Sequence, residues 1–311
     1  MEESTPTISA IITTFNRKDY CREAIKSVLA QTYKNFELII LDNSSKDGTG
    51  EVVKSFQDAC IRYICHPQLN VAQARNLGWR SARGAYVAFL DDDDLWLPKK
   101  LESQIGKFEN GGTDLALVYG GFYKIDKDGK RIGEFQPTVR GMVLEKLLKQ
   151  DDYFTGSASN PLIRRDIIEK LGGYDDIVTT GEDWEFYLRL AQNYSVECIK
   201  EPVLEIRQHE GPRLGDRLKE AAALEIQVMD RYKDIFDRDR KLRSFYLQKV
   251  GGKYCRIGEV RQGREYLRKA IWYNPTNVKV YAQYVLSFMK LSWYRNIHAV
   301  YLKKRKANKN I

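Results

Sequence analysis

Through the first 120 residues the apolar positions fall in short runs separated by stretches of helical spacing. The runs "TISAIITTF" (7–15), "FELIIL" (36–41), "IRYI" (61–64) and "AYVAFL" (85–90) have the composition of buried strands. Helical patterns at about Asp19–Gln31, through "EVVKSFQDA" (51–59) and at about Val71–Ser81 separate them. Repeated strand, helix and strand predict right-handed crossovers and a mostly parallel sheet. Such sheets bind ligands beyond the carboxyl ends of their strands. Three polar clusters, Thr13–Arg17, Asp42–Asp47 and Asp91–Asp94, fall at those ends.

Further along, "KIDKDGKRI" predicts a hairpin around Asp128-Gly129, and "SNPLIRR" a further strand. "GEDWEFYLRLAQ" predicts an amphipathic helix with an acidic start. After about Gly215 helical periodicity runs to the end, which predicts two domains, 1–213 and 214–311. Within the second, Gly251, Tyr254, Gly258, Gly263, Leu267, Ala270 and Pro275 stand at the spacing of one tetratricopeptide repeat. A single copy cannot form a solenoid, so the segment is expected as a helical hairpin, with a protein partner or dimer contact as the alternative role.

Composition narrows the partners. A net charge of +9 favours an anionic partner, whether nucleic acid, acidic lipid or a phosphorylated small molecule. No apolar run reaches the roughly 20 residues of a membrane span. The acidic start "MEESTPTISAIITTFN" has no signal-peptide pattern, so a cytoplasmic protein is expected. The basic end, with Lys303, Lys304, Arg305 and Lys306, adds an expectation of peripheral docking on an acidic membrane. Five scattered cysteines without metal-finger or redox spacing predict free thiols.

The chemistry centres on "LDDDD". Neither a dinucleotide-binding nor a P-loop glycine motif is present, so phosphate is expected to be held through a metal on carboxylates. Mg²⁺ and Mn²⁺ commonly bridge one or two carboxylates to substrate phosphates. The competing reading makes Asp94 a helix cap before "LWLPKKLESQ"; it leaves Asp91 and Asp92 unexplained.

Four blocks, "ISAIITTFNR", "FELIILDNSSKDGT", "VAQARNLGWRSARGAYVAFLDDDDLWLP" and "GEDWEFYLRL", resemble family 2 glycosyltransferases in order and spacing, over about residues 7–210. The resemblance implies a GT-A fold, a mostly parallel sheet flanked by helices, followed here by an all-α region. It implies an inverting, hexosyltransferase-like enzyme with a nucleotide-diphosphate sugar donor and Mn²⁺ or Mg²⁺. UDP is expected ahead of dTDP, and the acceptor is a saccharide or a lipid-linked sugar, as in cell-surface polysaccharide or glycolipid assembly. By the same resemblance Thr13, Phe15 and Arg17 lie where base and ribose rest. Asp42 and Asn43 lie in the base-recognition block, Asn43 standing where many relatives have a second Asp. Arg75 contacts the nucleotide, and Asp91 or Asp92 the ribose. Asp93 is the principal metal ligand, with Asp91 and His209 as further candidates, and Arg207 assists the departing diphosphate. Asp183 is the base and Glu182 its orienting partner. Trp184, Tyr153 and Phe154 are candidates to stack on a sugar. Two other classes fit less well: an inactive sugar-binding scaffold would not need both Asp93 and Asp183. A nucleic-acid binder is not expected, because carboxylates at the strand ends repel phosphate.

Overall fold

The apolar runs become strands where the pattern puts them. In the computed structural model, which describes residues 5–149, 154–208 and 217–289, β1 (Ile8–Thr14), β2 (Phe36–Asp42), β3 (Ile61–Cys65) and β4 (Tyr86–Asp91) lie parallel in the order β3-β2-β1-β4. The crossovers carry α1 (Lys18–Leu29), α2 (Thr49–Lys54) and α3 (Val71–Ser81). β1, β2 and β4 are buried almost throughout, as strands covered on both faces must be. Asn70 starts α3 with a reciprocal cap: its Oδ1 accepts from Gln73 N at 2.9 Å and its N donates to Gln73 Oε1 at 3.1 Å.

The rest of this unit adds antiparallel pairings to the mostly parallel sheet. It comprises β5 (Leu95–Trp96), α4 (Lys100–Glu109), β6 (Leu115–Ile125), β7 (Arg131–Phe135), α5 (Leu144–Lys149), β8 (Leu162–Arg164), α6 (Arg165–Lys170), α7 (Glu182–Ala191) and β9 (Ser195–Arg207). The sheet continues β4-β8-β6-β9-β5, with β7 on β6. β8 runs antiparallel to both β4 and β6, and β5 antiparallel to β9, while β6 and β9 are parallel. The expected hairpin is β6–β7, closed by Gly129 N on Asp126 O at 3.1 Å.

The chain divides into two compact units: Met1–Ile177 with Glu182–Glu210, and Gly211–Ile311 with Val178–Gly181. The expected boundary near 213–215 lies outside the described residues. In its described part the second unit is helical: α8 (Leu218–Arg231), α9 (Lys233–Arg238), α10 (Arg240–Ile257), α11 (Val260–Tyr273) and α12 (Val278–Leu286). α10 ends on Gly258 at φ 98°, a left-handed cap that suits glycine. α10 and α11 then meet at Gly251 and Gly263, where an added Cβ on Gly263 would stand 2.4 Å from Cys255 Sγ. All five cysteines are free thiols, and no described helix is long and apolar enough to cross a membrane.

Candidate active site

Strand register brings the polar clusters side by side. Thr13 pairs with Asp91 across β1 and β4, and Thr14 with Asp42 across β1 and β2. The loops beyond are interlocked: Asn16 N donates to Ser45 Oγ, and Lys46 N to Asn16 Oδ1, each at 2.8 Å. Asn16 and Ser44 hold positive φ of 52° and 61°. Conformations of this kind persist only where surrounding contacts fix them.

The four aspartates have four different environments. Asp91 Oδ1 accepts from Arg75 Nη2 at 3.2 Å, and its N donates to Ser159 Oγ at 3.0 Å. Asp92 is buried, accepting from Thr14 Oγ1 at 2.8 Å and Arg17 Nη1 at 3.1 Å. Asp93 Oδ2 accepts from the same Arg17 Nη1 at 2.7 Å. Asp94 folds inward, taking Ser159 Oγ at 2.7 Å, Ser157 Oγ at 2.9 Å and Arg207 N at 3.0 Å. It therefore caps no helix; α4 begins at Lys100, six residues on. Burial, reinforced by the charge of Asp93, pushes Asp92 up to about 7 and Asp94 up to about 8. Asp91 is raised too, again chiefly by burial and against the pull of Arg75. Like charges out of water favour the neutral acid, so full ionisation of this edge would call for more positive charge than Arg17 and Arg75 supply.

Arg75, on α3, joins the aspartate turn to the acidic start of α7. One side of its guanidinium donates to Asp91 and the other to Glu182 Oε1, and it lies 5.7 Å from the Tyr174 ring centroid. Asp183 is buried beside Glu182 and accepts from Trp184 N at 2.7 Å. Burial first, and then the neighbouring Glu182, push its carboxyl up to about 7.

Several of the expected site residues are engaged in internal bonds. Arg207 does not face outward for a diphosphate. Its guanidinium is buried, donating to Asp93 O at 3.2 Å, Lys127 O at 3.1 Å and Glu23 Oε2 at 2.9 Å. It fixes the aspartate turn. Asn43 spends its amide on backbone, donating to Leu69 O at 3.1 Å and accepting from Leu69 N at 2.8 Å. Asp42 is buried under Tyr63 OH at 2.6 Å and Ser45 N at 2.9 Å. Both shape the base-side loop through internal bonds. Arg75 is likewise buried and committed to carboxylates on both sides. Phe154 packs edge-on against Tyr119 and Tyr187, a core position and not a sugar platform. Thr13 is half-buried beside the turn, Trp184 is half-buried, and Phe15 is exposed on the first loop. His209 and Tyr153 lie outside the described residues. The residues missed by sequence reasoning are Thr14, Ser157 and Ser159. The two serines of "GSAS" sit in a turn, and their acidic partner Asp94 lies more than sixty positions away.

For a divalent cation the donor set fits. Among the described residues no three candidate ligands form a protein-only cage. Asp91 and Asp93 are the more open carboxylates of the turn, with side chains 35% and 18% exposed. Two carboxylate ligands completed by substrate phosphates suit Mg²⁺ or Mn²⁺. Arg17, bridging Asp92 and Asp93, already marks where positive charge is favoured.

Residues 9–172 match the family model described as glycosyl transferase family 2. An uncharacterized glycosyltransferase of Methanocaldococcus jannaschii is 32% identical over 212 residues, covering 66% of this chain and 72% of that protein. An Escherichia coli protein described as UDP-Glc:alpha-D-GlcNAc-diphosphoundecaprenol beta-1,3-glucosyltransferase WfaP is 38% identical over 131 residues, 41% of this chain and half of that one. The fold is similar to the crystal structure of Staphylococcus aureus TarS 1-349 in complex with UDP-GlcNAc, with a TM-score of 0.65 at 14% identity over 96% of this chain and 92% of that one. With a GT-A-like sheet, an aspartate turn at its edge and a family match over more than half its length, the chain belongs to glycosyl transferase family 2 and is a glycosyltransferase.

Proposed function

We propose that the protein is a metal-dependent inverting transferase that moves a sugar from a nucleotide-diphosphate donor, UDP-linked, to a saccharide or lipid-linked acceptor. The observation that carries this reading is the bridge Asp91–Arg75–Glu182, with Asp183 next in line: it links a half-buried carboxylate of the aspartate turn to the buried acid pair that holds the candidate base. Asp183 takes the acceptor hydroxyl's proton as its oxygen bonds to the anomeric carbon and the bond to the diphosphate breaks. Glu182, held by Arg75, keeps Asp183 in place and raises its affinity for a proton. Asp93, with Asp91, would hold the cation, which when bound supplies positive charge to the leaving diphosphate. Arg207, Ser157 and Ser159 keep the turn in shape by fixing Asp93's carbonyl and Asp94. UDP and a lipid-linked acceptor draw support from the names of WfaP and of the TarS complex.

The test is consumption of a panel of nucleotide-sugars with Mn²⁺. UDP-sugars are expected to turn over, chelation to stop it, and Asp183→Asn to slow it by about 10²–10⁴. Turnover that survives both chelation and Asp183→Asn would overturn the mechanism, and no turnover of any donor would favour a scaffold.

A further inference from the structure

Of the ten large apolar residues exposed among the described residues, five lie within twelve consecutive positions: Val278, Tyr281, Val285, Phe288 and Met289. The first three recur at i, i+3 and i+7 on α12, and the last two follow in the turn that ends it. The opposite side of the helix is already committed. Val280 and Ser287 are buried; Gln283 accepts from Gln248 on α10 at 3.1 Å, and Arg264 on α11 donates to Ser287 O at 2.7 Å. The stripe is thus not left over from loose packing. Val285 and Phe288 are 66% and 60% exposed on an element whose other face is fixed.

Charge says what covers it. Residues 266–311 contain ten Lys or Arg and no Asp or Glu. Arg264 stands over the Phe288 ring at 3.8 Å, Lys279 is exposed on α12, and Trp272 is exposed on α11. An apolar helix face with aromatic residues, carried on a stretch of sequence that is basic and free of acids, is the composition of a segment that lies in a lipid interface. A second copy would bring two acid-free basic segments together. A nucleic acid would answer the charge but leave the aliphatic side chains in water. We propose that the outer face of α12, with the turn through Met289, docks the protein on an anionic lipid bilayer. The basic residues draw it to the headgroups and the stripe enters the acyl boundary.

The experiment is co-sedimentation of the full chain with vesicles of phosphatidylcholine and of an equal mixture of phosphatidylcholine and phosphatidylglycerol. The wild type is expected to bind the mixed vesicles and not the neutral ones. The double variant Val285→Ser with Phe288→Ser, which changes no charge, is expected to bind at least about tenfold more weakly. Unfolding temperatures that coincide with wild type show that the variant is folded. Equal binding of variant and wild type, or no wild-type binding, overturns the proposal, because charge alone or nothing would then act. A wild-type dimer that the double variant dissociates also overturns it, since a second copy would own the stripe. So does duplex DNA binding that the variant weakens equally.

Discussion

Two regions of this protein collect charge of a single sign, one at the sheet edge and one in the helical unit. At the edge, Asp91–Asp94, Glu182 and Asp183 are drawn together, and Asp92, Asp94, Glu182 and Asp183 are buried. Their relief comes from fixed partners: Arg17, Arg75, the Ser157 and Ser159 hydroxyls and the Arg207 amide. In the helical unit the cations are exposed, as Lys279 is, and where one is paired, as Lys269 is with Glu265, both partners are still exposed. Water and salt screen such charges, so they need no built partner. The difference teaches that a crowd of like charges points to a bound counter-ion only where burial makes the crowding costly.

The sharpest way to break this contrast is to remove one internal partner. Arg75→Met strands Glu182 and Asp91, and is expected to cost about 3–5 kcal/mol in denaturant unfolding. A loss below about 1 kcal/mol would mean that the edge is effectively solvated. Next in size is the pH response. With its carboxyl raised to about 7, Asp183 accepts a proton only above that pH. The value of kcat/KM should therefore fall about tenfold per pH unit below 7 and level off above it. An Asp at its ordinary value would leave the rate flat down to about pH 5. The smallest effect belongs to the other region: Lys279→Glu should move stability by no more than about 0.5 kcal/mol. A larger shift would show that the basic surface is coupled into the fold.

The strands that carry the site were legible because each is an apolar run stopping on polar residues: Leu90 into Asp91, Leu41 into Asp42. β9 was not. "SVECIKEPVLEIR" alternates irregularly, and its pairing with β6 shifts register around Gly121 and Pro202. The acid pair at the start of α7 and the arginine of α3 could be read as site residues, but not their mutual bond, which spans 107 positions. The internal partners of Asn43 and Arg207 were hidden for the same reason. A side chain's type fixes what it can bind, while Leu69 and the carbonyl of Asp93, which claim these two, come near only through the fold.

One consequence follows from the way Arg207 is seated. Its guanidinium reaches the carbonyls of both Asp93 and Lys127, riveting the β6–β7 turn to the aspartates, while residues 128–130 beyond the rivet are exposed. Evolution, or a designer, can therefore recolour the side chains at Asp128 and Lys130, altering what that tip presents without disturbing the machinery beneath.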